Sequence, residues 1–119
     1  MANTRKDLAA LTCVPCRGGI PPLETPRITE MMNIVPGWTL KREGIDKIEK
    51  KFRFENFKKA MVFVNKVADI ANEQGHHPDI FISWNEVALT LYTHAIKGLH
   101  DNDFIMAAKT DDLFTLPRL

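Results

Sequence analysis

The sequence predicts an α+β fold, a four-stranded antiparallel sheet with helices packed on one face. Three observations carry that expectation. The chain reads as strand, strand, long helix, strand, strand, helix. Its last two strands are separated by two residues, the spacing of a tight hairpin. Its long helix bears one apolar stripe, which a sheet face buries most simply.

Residues 1–27 read as an irregular N-terminal segment, polar and punctuated by Pro and Gly, and residues 28–119 as a single domain. Ile28–Val35 forms a short helix, stopped by Pro36-Gly37. Trp38–Lys41 and Ile45–Phe54 are strands. In the second, Ile48, Phe52 and Phe54 share one face and Glu49, Lys51 and Arg53 the other, with Lys50 interrupting the apolar side. From Asn56 the clearest helix begins. Phe57, Ala60, Met61, Val64, Val67, Ala68 and Ala71 recur at helical spacing, while Lys58, Lys59, Lys66, Asp69 and Asn72 fall off the stripe. Gly75 suits the left-handed position that ends a helix.

Ile80–Trp84 and Val87–Tyr92 then pair as a hairpin, with Asn85-Glu86 as its two-residue loop. Ile80, Ile82 and Trp84 share a face with Val87, Leu89 and Leu91, and Trp84 is assigned to the core. The other face, with Phe81, Ala88, Thr90 and Tyr92, is apolar enough to suggest a subunit contact. Gly98 opens a loop holding His100, and Asp101 or Asn102 caps a last helix through about Leu113.

At 119 residues the chain is long enough for one sizeable core. Its 45% hydrophobic and 26% charged residues are ordinary for a soluble globular protein. Sixteen basic and fifteen acidic residues give a net charge of +1, which argues against a nucleic-acid or anionic-membrane partner. No apolar run approaches the ~20 residues of a membrane span. Arg5, Lys6 and Asp7 interrupt the first residues where a signal peptide would need its apolar stretch. A cytoplasmic location is expected.

Cys13-Val14-Pro15-Cys16 is the only cysteine pair. A zinc site would need a second such pair or nearby histidines to complete four ligands. A redox dithiol would sit at a helix N-terminus, yet Pro21-Pro22 follow and favour extended chain. Two thiols in an irregular lead is the reading that remains.

The chemistry-bearing feature is His76-His77-Pro78, answered by His94. Histidine titrates near neutrality, so imidazoles give and take protons readily there. With Asn85-Glu86 as the loop, Trp84 faces Val87 and His77 falls opposite His94, their Cβ atoms roughly 5 Å apart. The expected geometry is His77 and His94 on one sheet face beside a concave pocket, His76 at its rim and Trp38 nearby. Adjacent histidines on extended chain project to opposite sides, so one metal ion rarely takes both. An acid at Asp103, in the first turn of a helix, interacts well with the macrodipole whether or not it serves a site.

Gly37-Trp38, Phe52-Arg53-Phe54, Phe57, His76-His77-Pro78, His94 and Asp103 together resemble the pterin-4a-carbinolamine dehydratases. The resemblance covers roughly residues 28–115, and the Cys13–Leu23 lead is similar to the N-terminal extension of some bacterial members. It implies a homodimeric or homotetrameric enzyme that removes water from a 4a-hydroxytetrahydropterin, with no metal or other cofactor. The product is a quinonoid dihydropterin, recycled for an aromatic amino-acid hydroxylase. By the same resemblance His76 and His94 transfer protons at the hydroxyl, and His77 orients the pterin and assists. Pro78 shapes the wall, Trp38 supplies an apolar surface, Thr93 hydrogen-bonds the ring and Asp103 joins the substrate-binding set. The chain departs from the family pattern at Asn72, Gly75 and Asn102. Animal relatives also act as dimerisation partners of a transcription factor, so the resemblance equally implies a non-enzymatic alternative, a pterin-binding or protein-binding module.

Overall fold

The computed structural model describes residues 3–115. Its elements run α1 (Arg5–Ala9), α2 (Thr25–Ile34), β1 (Thr39–Lys41), β2 (Lys47–Arg53), α3 (Phe57–Gln74), β3 (Asp79–Ser83), β4 (Glu86–Leu91), a 3-10 turn (His94–Ile96) and α4 (Asp101–Thr115). The four strands form one antiparallel sheet in the order β1-β2-β4-β3. Val87, Leu89 and Leu91 of β4 and Ile48 and Phe52 of β2 are buried in the core beneath α3 and α4. The α+β expectation holds, with the alternation of β4 setting the buried face.

Local chemistry sets the ends of α3. The Asn56 side chain accepts from the Lys59 N–H, and Gly75 closes the helix at φ 66° with its own N–H on the Ala71 carbonyl. The buried stripe is Ala60, Phe63, Val64, Val67 and Ala71. Phe57, expected in it, is 47% exposed. A helical side chain leans toward the N-terminus of its helix, and Phe57 opens the helix with no earlier turn to cover. Phe63 takes the aromatic place instead, its ring 4.9 Å from Phe52, 5.1 Å from Phe54 and 6.0 Å from Phe114.

Lys50 sits between Ile48 and Phe52 on the core side, and the structure gives the reason. Its ammonium lies 2.8 Å from Asp111 Oδ1, and the other oxygen of Asp111 accepts from Trp38 Nε1 at 3.0 Å. Asp111 is buried, so its charge requires both donors. The apolar stripe was interrupted for an ion pair.

The hairpin register differs from the expected one. Ser83 pairs with Glu86 and Ile82 with Val87, so the loop is Trp84-Asn85. Asn85 is tied to the end of β2, its carbonyl accepting from Phe54 N–H and its Nδ2 donating to the Phe54 carbonyl. Trp84 takes the first loop position at φ 48°, a conformation such turns need there. It is 62% exposed at the tip, not in the core. The pairing moves by two residues, which keeps every side chain on its expected face. Counting on from Asp79↔Thr90 sets His77 across from Tyr92 instead of His94.

The N-terminal segment is less irregular than expected. Arg5–Ala9 is helical, and Leu8 belongs to the same buried cluster as the sheet residues. Helix α2 starts three residues before Ile28, and α4 starts at Asp101, capped by His100 instead of by Asp101 or Asn102. Among the described residues no helix is long and apolar enough to cross a membrane.

The two phenylalanines of α3 make the packing testable. Phe63→Ala should lower the unfolding free energy by about 3–5 kcal/mol, the usual scale for a buried aromatic. Phe57→Ala, at a largely exposed ring, should cost less than about 1 kcal/mol. Urea unfolding of both variants measures the difference, and equal losses would contradict the packing.

Candidate functional site

Three chain segments meet at one end of the sheet. Past Gly75 the chain runs through His76, His77 and Pro78 before pairing begins at Asp79. Past Leu91 it runs through Tyr92 and Thr93 into the 3-10 turn led by His94, which the left-handed Lys97 and the Thr93↔Gly98 bridge close. The third segment is the start of α4. There the His100 ring accepts from Asn102 N–H at 2.9 Å while Asp103 accepts from His100 N–H at 3.0 Å, a reciprocal cap.

Asp103 joins the three. It has no exposed surface. Oδ1 lies 2.6 Å from His76 Nε2, and Oδ2 accepts from the Thr93 hydroxyl at 2.8 Å as well as from His100 N–H. An ionised carboxylate only accepts, so His76 Nε2 carries a hydrogen and Nδ1 is the nitrogen left open. The His76 side chain is 11% exposed. His77 is exposed, its Nε2 3.0 Å from the Asn72 amide oxygen. By the same logic Nε2 donates and Nδ1 is open. His94 is exposed too, with its ring centroid 4.2 Å from that of Tyr92. Lys47 places its ammonium 4.6 Å from the same tyrosine ring.

These residues surround a cleft of about 350 Å³, walled by His76, His77, Pro78, Thr93 and His94 together with Cys16. All three histidines named from the sequence therefore face one space. His76, expected at the rim, is the more buried of the adjacent pair and the one anchored by a carboxylate. Trp38 does not line the cleft; it is buried against Phe52 and hydrogen-bonded to Asp111. Asp103 lies behind the wall and holds His76 and Thr93 in it. His100, read as a surface loop residue, caps α4.

Sequence reasoning left Cys16 in an irregular lead, with zinc and redox roles for its pair with Cys13 weighed and set aside, and did not place it at the cleft. What brings it there is a set of contacts between residues 13–23 and residues 74–102. The three departures from the family pattern each have a place. Asn72 holds His77, Gly75 ends α3, and Asn102 grips the backbone of Val14. Among the described residues no group of three or more His, Cys, Asp or Glu side chains is arranged to hold a metal ion.

A sequence model of the family described as "Pterin 4 alpha carbinolamine dehydratase" matches residues 21–113. The chain is 48% identical over 106 residues to a Methylococcus capsulatus protein described as "Putative pterin-4-alpha-carbinolamine dehydratase", covering 89% of this chain and 92% of that one. A crystal structure from Brucella melitensis, titled as a transcriptional coactivator/pterin dehydratase, superposes with a TM-score of 0.73 at 29% identity, covering 77% of this chain and 97% of that one. A pterin dehydratase-like protein, described as a RuBisCO assembly factor in the alpha-carboxysome, shares the fold at 22% identity. Its TM-score is 0.58, over 67% of this chain and 92% of that one.

The role of Asp103 in holding these segments is measurable as stability. Asp103→Ala orphans three donors, and each buried unpaired group costs about 1–3 kcal/mol. Asn72→Ala, which frees an exposed bond, should cost under about 0.5 kcal/mol. Denaturant unfolding of the two variants should separate them clearly, and similar midpoints would overturn the assignment of Asp103 as the junction.

Proposed function

The chain belongs to the pterin 4 alpha carbinolamine dehydratase family, and on that premise we propose that it converts a 4a-hydroxytetrahydropterin into a quinonoid dihydropterin and water. The observation that carries this reading is the convergence of His76, His77 and His94 on one cleft of about 350 Å³. A pocket of this order suits a small heterocyclic ligand.

The reaction breaks the C4a–O bond and forms a C4a=N5 double bond. The departing hydroxyl takes a proton and leaves as water, and N5 gives up its proton to a base. One imidazolium and one neutral imidazole supply both transfers near neutral pH, and the two protons cancel, so neither a metal nor another cofactor enters the reading. His76 and His94 are proposed for proton transfer at the hydroxyl. The bond from His76 Nε2 to Asp103 leaves Nδ1 as the exchanging nitrogen. His77 orients the pterin and assists, and Pro78 forms wall. The Thr93 hydroxyl, its hydrogen given to Asp103, keeps its lone pairs for a donor on the ring. Trp38 is buried away from the cleft, so this reading gives it no contact with the pterin.

Turnover by purified protein is the direct test. The substrate is generated in situ by an aromatic amino-acid hydroxylase, and quinonoid dihydropterin is followed by absorbance. His94→Ala should lower kcat by about 10²–10⁴-fold, the scale of losing a general acid or base. Binding of a stable dihydropterin should change far less. A variant with near-normal kcat would remove His94 from the mechanism, and dialysis against a strong chelator should leave turnover unchanged.

A second reading has its own support. Phe81 and Trp84 stand 67% and 62% exposed, on the edge strand and its tip, and they favour a protein contact there. A homodimer or homotetramer using that edge is compatible with catalysis. A purely protein-binding module predicts no turnover at all, which the same assay decides.

A further inference from the structure

The N-terminal lead is fastened across the site at both ends. Asn102, 2% exposed, grips Val14 twice, accepting from its N–H at 3.0 Å and donating to its carbonyl at 2.6 Å. Cys13 N–H donates to Gln74 Oε1 at 2.8 Å. At the other end Leu23 N–H donates to the Leu99 carbonyl at 2.9 Å. Pro22 packs so closely on Gly98 that a Cβ there would lie 2.5 Å from the proline Cβ.

Between these anchors the chain bends at Gly18 and Gly19, with φ of 85° and 81°. A Cβ on Gly18 would lie 3.2 Å from the Ala95 carbonyl oxygen, so the lead passes against the residue next to His94. The one side chain it contributes to the cleft wall is Cys16. A wall pinned on both sides cannot swing away to admit a larger occupant, so the volume of residue 16 limits what fits. A thiol is small and polarisable, suited to lie against a flat heterocycle.

We propose that residues 13–23 act as a fixed strap closing the histidine cleft, and that Cys16 is a specificity-determining residue in contact with the bound pterin. This rests on the pterin dehydratase reading above. Most of the strap, Cys16 included, lies before the segment that the family model matches.

The two thiols make the contact measurable in the unmodified protein. Burial pushes the Cys13 thiol up to about 11, and only a thiolate is alkylated readily, so Cys13 serves as an internal non-reacting control. Native protein is treated with iodoacetamide with and without saturating 7,8-dihydrobiopterin, and labelling of each cysteine is read by peptide mass spectrometry. Cys16 labelling should slow by about fivefold or more when the cleft is filled, with Cys13 unlabelled throughout. In turnover, Cys16→Phe should raise KM by about tenfold or more while kcat falls much less, because the added ring excludes ligand without touching the proton-transfer groups.

Unchanged Cys16 labelling at a dihydropterin concentration that saturates an active enzyme would overturn the strap proposal alone. So would a folded Cys16→Phe variant of normal KM. Absence of turnover in the unmodified protein would instead overturn the dehydratase reading and this assignment with it.

Discussion

A carboxylate with no exposed surface has to be met by donors, and Asp103 is met by three. The donors come from the exit of α3, the exit of β4 and the loop before α4. One buried carboxylate thus ties the exit of α3 to the stretch from Thr93 to His100, and the cleft is the space between the exits of α3 and β4. Charge-assisted bonds of this kind are short and directional, and 2.6 Å to His76 is at the short end. Fold and site meet here, because the bond that secures the α3 exit also decides which His76 nitrogen faces the cleft.

The same helix carries a second buried carboxylate. Asp111, two turns along α4, takes the indole N–H of Trp38 and the ammonium of Lys50. Every residue from Asn102 to Ala108 is buried, as expected of a helix enclosed on all sides. The buried polar residues of this helix are paired: Asn102 with Val14, Thr110 with the Met106 carbonyl, and Asp103 and Asp111 with their donors, while at its first residue Asp101 keeps one carboxylate oxygen buried without a partner among the described residues. Satisfied buried networks specify one arrangement, since any slip of α4 would strand several groups at once.

Much of this was legible in the chain. The left-handed Gly75, the alternation of β4 and the stripe of α3 are local signals, and local signals survive folding. The hairpin register was not legible, because Asn85-Glu86 and Trp84-Asn85 are both two-residue loops on paper. Asn85 decides between them by bonding to Phe54, the residue that follows β2 and precedes the long helix. A tryptophan at positive φ is a poor expectation from propensity, and here a tertiary contact overrides it. The gathering of histidines was legible from spacing even so. Both the hairpin and the α3 exit deliver to the same end of the sheet, whichever loop is chosen. The strap was illegible for a different reason. Its fastening to Asn102 spans 88 positions and leaves no periodic trace.

The adjacent histidines show how one dipeptide supplies two unlike groups. Extended chain sends neighbouring side chains to opposite sides, so His76 turns inward to a buried carboxylate and His77 outward to the amide of Asn72. A bond to an ionised acceptor holds a ring harder than a bond to a neutral one, and exposure weakens the second further. His76 is therefore the stiff partner, with its orientation set before any ligand arrives. His77 is free to follow an occupant of the cleft. An acid in place of Asn72 would erase that difference by giving both rings a carboxylate. Proton transfer needs a group fixed within reach of the reacting atom, whereas orienting a ligand tolerates a ring that adjusts. The division proposed between His76 and His77 on the family resemblance is compatible with the chemistry of their two acceptors.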